Sequence, residues 1–248
     1  MGKYLLLFII ISLFKVSAKE IVPMYTYHQK APFIFSLDRE LGISFTLVEL
    51  LNRYSKKYQF KLVYLPRKRL DLVKTKKIVL WTNPSWMNDI DETRFLWSQN
   101  LVRDSEIFIS LKKTHFKYKS NKDLHGKKLI GVAGYVYPIV ETLVENEKVI
   151  RVNVKSEKQI LSMVSSDRGG IGVLSYSTLM YYLNRSENLR QKIDYSNDVK
   201  TSFFRRISAT KDSKAQFLEV NKILSMKEFR KIFKKEAGSY FLDLDLKK

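Results

Sequence analysis

The sequence predicts a two-lobed α/β protein in which each lobe is a mixed, mostly parallel sheet flanked by helices. Two observations predict it. Strand-like and helix-like segments alternate over residues 20–81 with connections of a few residues, the pattern of a parallel sheet covered by helices. The same alternation recurs over residues 128–174, so the chain carries two such units. Two units imply a cleft between them, and ligands of such sheets gather at the strand C-terminal ends, where helix N-termini converge.

The elements follow in order. Residues 1–18 place Lys3 in a short basic start, continue with an apolar run over 5–14, and end in Val16-Ser17-Ala18. That is the layout of a cleaved secretory signal peptide. The run is half the roughly 20 residues a membrane span needs, so the 230 residues left after 18 of 248 are removed are expected in the periplasm. Residues 20–27 have a strand's β-branched and aromatic content. Over 45–58, Leu47, Leu50, Leu51, Tyr54 and Tyr58 form a helical stripe, with Thr46 and Glu49 spaced as a capping box and Ser44 as another possible cap. Residues 59–65 alternate as a half-buried strand, Pro66 opens a basic helix over 67–74, and 78–81 is an apolar strand. In the second unit, 128–133, 149–154 and 170–174 read as strands, and 138–146 and 157–165 as helices.

Composition narrows the class. With 45% hydrophobic and 13% aromatic residues the chain is globular, and without cysteine it holds neither a disulfide framework nor a thiolate metal site. Removing Lys3 and Lys15 from 45 basic residues leaves 43 against 25 acidic, a net charge of +18. The bases are spread along the chain rather than clustered, which reads as solvated lysines on helix faces. An anionic solute or an acidic envelope surface is the alternative, and export excludes nucleic acid as the partner. His28, His115 and His125 lack metal-ligand spacing, and no nucleophile elbow or phosphate loop is present. Glu40, Glu49 and the Asp89/Asp91/Glu92 cluster read as solvated carboxylates. The expectation is a binding protein without cofactor, not an enzyme.

Four motifs then carry a resemblance. Residues 124–135, Leu-His-Gly-Lys-Lys-Leu-Ile-Gly-Val-Ala-Gly-Tyr, resemble the L-x-G-K-x-hydrophobic-G-V-x-x-G opening of the second lobe in type 2 periplasmic solute-binding proteins of family 3. Residues 92–101 are similar to the family's T-x-x-R segment that closes the first lobe's ligand wall, and residues 27–33 to its aromatic-P-F turn. Arg206-Ile207-Ser208-Ala209-Thr210-Lys211, followed by a long helix, is similar to the return into the first lobe. The resemblance implies lobe 1 over 19–110 and 206–248, lobe 2 over 111–205, and hinge strands near 108–111 and 202–208.

It also implies site residues. Arg94 matches the arginine that clamps a ligand carboxylate with two parallel hydrogen bonds, although by position it could equally be a surface arginine. Gly134, Tyr135 and Tyr137 flank the start of the helix at Pro138, an anion-binding geometry or simple turn punctuation. Tyr27, His28, Phe33, Trp81 and Trp86 fall at strand ends or in the loops just after them, as aromatic cleft walls or as core, with Asn83 as a neutral donor and acceptor. Ser177 stands where amino acid-binding members have an aspartate, and residues 169–177 contain no acid, which argues against an ordinary zwitterionic amino acid.

The function so implied is capture of a small, carboxylate-bearing solute by a monomer that presents it to the membrane permease of an ABC-type importer. The alternatives are a periplasmic sensor of the same fold that signals to a membrane protein, and a basic protein adhering to the envelope by charge.

Overall fold

The computed structural model describes residues 19–196 and 202–244; the expected signal peptide lies outside them. Among the described residues no helix is long and apolar enough to cross a membrane.

The first set of strands comprises β1 (Glu20–Thr26), β2 (Tyr58–Tyr64) and β3 (Ile78–Thr82), with β1 parallel to both neighbours. Val22, Met24 and Thr26 alternate inward along β1. Helix α1 (Ile43–Tyr54) buries Ile43, Leu47, Leu50 and Leu51 against the same core. It starts before Thr46, and neither Thr46 nor Ser44 caps it. Gly42 holds the N-cap position with φ 137°, and the N–H groups of Ile43 and Ser44 donate to the carbonyls of Pro32 and Phe33. Ser44 Oγ instead accepts from Trp81 Nε1 at 2.7 Å. A Cβ on Gly42 would lie 2.3 Å from the Phe33 oxygen, in a backbone region only glycine populates freely. Gly42→Ala is therefore expected to lower stability by about 2 kcal/mol or more, checked by urea denaturation. The basic helix α2 spans only Arg67–Leu70, because Leu70 alone is buried and no apolar face continues beyond it.

After β4 (Leu96–Trp97), the ten-residue β5 (Val102–Leu111) changes partners along its length. Val102 to Ser105 pair with β10 (Ser202–Ala209), and Glu106 onward pairs with β8 (Ile171–Ser175) and β9 (Ile193–Ser196). The segment 108–111, read as a hinge strand, lies inside the second set of strands; the change of partner comes earlier, between Ser105 and Glu106. β10 behaves in the same way, since its second half pairs with β3 and β4. The strand order is β2-β1-β3-β10-β5-β8-β6-β7, with β6 (Lys128–Val132) parallel to β7 (Ile150–Val154) and β8.

Apolar cores form on both sides of this crossover. One joins β1–β3 and α1 to the C-terminal helices. The other two cover opposite faces of the second sheet, beneath α3 (Pro138–Glu145) on one side and α4 (Glu157–Ser165) and α5 (Tyr176–Leu183) on the other. α6 (Glu187–Lys192) precedes β9. The long C-terminal helix is two helices, α7 (Lys214–Ser225) and α8 (Lys227–Gly238), broken where Met226 turns extended. β11 (Asp243–Leu244) closes on β5.

Candidate functional site

The crossing strands carry a buried ion pair. Arg205 on β10 is 1% exposed, and its Nε donates to Asp104 Oδ2 on β5 at 2.8 Å. Asp104 also accepts from the backbone N–H of Ser177 at 3.0 Å and from its hydroxyl at 2.8 Å. The Arg205 guanidinium lies 4.6 Å from the Phe33 ring centroid and 5.2 Å from those of Trp86 and Phe203, and it reaches the Ser175 hydroxyl at 3.3 Å. A buried arginine matched by a carboxylate, a hydroxyl and aromatic faces has its charge compensated on every side.

A second pair spans from one strand set to the other. Lys30, on the loop after β1, donates from Nζ to Glu157 Oε1 at 2.7 Å and to Ser175 Oγ at 2.6 Å. The ammonium lies 5.7 Å from the Tyr135 ring centroid. Beside it, Thr178 Oγ1 donates to the Ala31 carbonyl at 2.7 Å. Glu157 opens α4 behind the cap Ser156, and Ser175 ends β8. The seam is thus placed where strands end and helices begin.

Aromatic residues line the first-lobe side. His28 packs against Tyr27, Phe33 and Trp86. It is 3% exposed. Burial, with Arg205 and Lys30 nearby, drives its pKa well below the ordinary histidine value, so the ring is neutral. Burial also raises the Tyr27 hydroxyl, opposed by the charges of Arg67 and Arg205. The Arg67 guanidinium lies over the Tyr27 ring and donates to the Trp86 carbonyl at 2.9 Å.

The residues singled out from sequence divide between seam and framework. Tyr27, Trp86 and Tyr135 stand at the seam. Trp81 is fully buried against Phe33 in the first core, with φ 62° at a β-bulge opposite β10. Asn83 is structural: it accepts from Ser85 and donates to the Phe204 carbonyl. Ser177 is buried and holds Asp104. Tyr137 lies in the second core, its hydroxyl accepting from the Val132 N–H at 3.1 Å. Gly134 is exposed with φ 77°. The start of α3 already has an anion, because Glu141 accepts from the Tyr137 N–H.

Arg94 is not among the seam residues. It is exposed, and its guanidinium donates to the Asn88 carbonyl at 3.0 Å and lies over Phe95. The loop is organised by Asp89, which is buried rather than solvated and accepts from the N–H groups of Arg94 and Phe95 and from Trp97 Nε1. Arg94→Ala is expected to change stability by less than about 0.5 kcal/mol and to leave any ligand-induced thermal shift intact.

Sequence reasoning missed Lys30, Asp104, Glu157, Ser175 and Arg205. The acids absent from 169–177 arrive from β5 and from the first turn of α4. In sequence, Glu157 looks like an ordinary first-turn acid, and Lys30 like any of the chain's many lysines. The one available signal was alternation: Asp104 falls on the inward side of β5, between exposed Arg103 and half-buried Ser105.

No protein-family model matches the sequence, and no curated protein is significantly similar to it. Solved structures do match. An ancestral arginine-binding protein bound to arginine superposes with a TM-score of 0.69 at 14% identity, covering 90% of this chain and 99% of that one. The fold is that of the two-lobed periplasmic binding proteins. A substrate-binding protein of an ABC uptake transporter from Streptococcus pneumoniae, with bound histidine, matches at TM-score 0.64 and 13% identity over 86% of this chain and 92% of its own. The periplasmic VFT2 domain of BvgS from Bordetella pertussis matches at 0.60 and 17%, over 87% and 92%. Lys30, Glu157, Ser175 and Arg205 lie together where β5 and β10 pass from one set of strands to the other.

Proposed function

We propose that this chain is an exported solute-binding protein whose lobes, 19–110 with 206–248 and 111–205, close on a small carboxylate-bearing solute and present it to an ABC-type importer. One observation carries the reading: charged and aromatic groups from both lobes meet, buried, at the seam where Lys30 faces Glu157 and Ser175. A charged solute taking part in that seam gains contacts from both lobes only when they are together, so binding favours closure. Lys30 and Arg67 supply positive charge for a carboxylate, and Tyr27, Trp86 and Tyr135 supply walls. The objection to a zwitterion falls away, because Glu157 provides the missing carboxylate. Amino acids therefore enter the solute class, in keeping with the arginine and histidine held by two of the matching structures. The chemistry assigned here is binding, not catalysis.

A thermal-shift screen of amino acids, dicarboxylates, amines and small peptidoglycan fragments tests the reading. Saturable stabilisation by a carboxylate-bearing solute, with 1:1 stoichiometry in calorimetry, is the expected result. A flat response across carboxylates overturns the solute class, and a flat response across the whole panel overturns solute capture.

Sensing is the second reading, favoured by the Lys30–Glu157 pair itself. Lobes tied together by the chain's own side chains give a defined unliganded state from which a solute could signal a change to a membrane partner. Co-purification with a permease distinguishes transport from this reading.

A further inference from the structure

We propose that Lys30 is a tethered competitor, its ammonium occupying in the unliganded protein the site that receives a solute's own ammonium. This rests on the solute-binding reading and adds to it the cationic end of the solute.

The groups around Lys30 Nζ form a complete ammonium site, and the second lobe supplies all of them. Glu157 Oε1 lies at 2.7 Å, Ser175 Oγ at 2.6 Å, and the Tyr135 ring centroid at 5.7 Å. A carboxylate, a hydroxyl and an aromatic face together are what a desolvated primary ammonium requires. The ammonium itself comes from the other lobe, on a loop between β1 and α1, so the contact lasts only while the lobes are together. Opening the cleft would leave the site assembled on the second lobe and empty of its lysine.

A second, independent observation points to a ligand. Glu157 Oε2 is buried and has no hydrogen-bond partner, although Oε1 accepts from Lys30 and from the Ser175 hydroxyl. One lysine at the end of a tether leaves that acceptor unused, and a buried unpaired carboxylate oxygen is costly. A free solute carrying an ammonium and further polar groups can satisfy what Lys30 cannot. Burial also draws the Lys30 ammonium below its ordinary pKa despite the neighbouring Glu157, so the tethered ion pair is incompletely compensated.

The exchange is a simple one. The solute's ammonium takes Glu157, Ser175 and the Tyr135 face, and the released Lys30 is free to meet the solute's carboxylate. The solute is then an amino acid or a similar zwitterion. Its apparent affinity is reduced by the fraction of protein in which Lys30 occupies the site.

The test compares wild type with Lys30→Ala and Glu157→Gln, each first shown to be folded by circular dichroism. L-Arginine, L-histidine and glycine are the calorimetric probes, and small-angle scattering without solute gives compactness. Lys30→Ala is expected to be more extended without solute and to bind at least one probe about tenfold or more tightly than wild type. Glu157→Gln is expected to lose that binding. If a probe binds wild type and Lys30→Ala binds it equally or more weakly, the competitor inference is overturned while the solute-binding reading stands. Unchanged compactness in Lys30→Ala overturns the inference independently of binding. Absence of probe binding to all three proteins overturns the amino acid class and the inference with it.

Discussion

Asp104→Asn is expected to lower folding stability by about 3–5 kcal/mol, the range for removing one partner of a buried ion pair. The substitution keeps the shape of the side chain and leaves Arg205 buried among Phe33, Trp86 and Phe203 without its carboxylate. It also weakens the anchor for the N–H and hydroxyl of Ser177. Urea denaturation checks this as a lowered midpoint with an unchanged slope. The double variant Asp104→Leu/Arg205→Met should recover much of the loss, since well-packed apolar pairs often replace buried ion pairs without penalty. Failure of the double variant to recover would mean that the polar contacts to Ser175 and Ser177, and not the unpaired charge, dominate. Because both partners sit on the strands that connect the lobes, hinge stiffness should fall together with stability.

Stability at alkaline pH should rise in Glu106→Gln. Burial lifts the Glu106 carboxyl from its ordinary 4.5 to about 7, with Glu157 and Asp104 adding to the shift and Lys30 and Arg205 opposing it. Between those two values the folded protein holds a proton that the unfolded chain has released. Glu106 therefore makes stability fall as pH rises through this window and level off above about 7. The full effect is at most about 3 kcal/mol. His28 has the opposite slope: its depressed pKa means that the unfolded chain takes up a proton as pH falls through the ordinary histidine value, so stability is lost on that side. The difference between variant and wild type cancels the histidine contribution. Denaturation at several pH values from about 5 to 8 should show Glu106→Gln gaining over wild type as pH rises. A difference independent of pH would remove Glu106 as the titrating group.

Much of the fold was legible in local pattern. β1, β2, β3, β6, β7 and α4 follow from strand composition, alternation and helical spacing, because burial of one face imposes a period of two or of nearly four whichever partner covers it. Where the pattern misled, a tertiary contact had taken over. Thr46 and Ser44 look like caps, but α1 begins at Gly42 because the 32–33 loop supplies the acceptors and comes too close for any side chain. The predicted long basic helix stops after Leu70, since a helix with nothing further to bury has no reason to continue.

The site was less legible for a related reason. Arg94 fitted a motif, yet Asp89 pins its loop through the backbone and the guanidinium turns back to Asn88. In sequence Trp81 ends a strand and Tyr137 precedes a helix, but their rings pack into the cores. Lys30, Asp104, Glu157 and Arg205 meet across separations of up to 127 residues, and no local rule connects them.

Two α/β units, the apolar faces each carries and the lack of thiol chemistry are written in composition and short-range periodicity. Which charges face one another is settled in three dimensions. Ion pairing depends on where the crossing strands bring side chains in space, and a lysine on one lobe acquires its meaning only from the carboxylate that the other lobe sets against it.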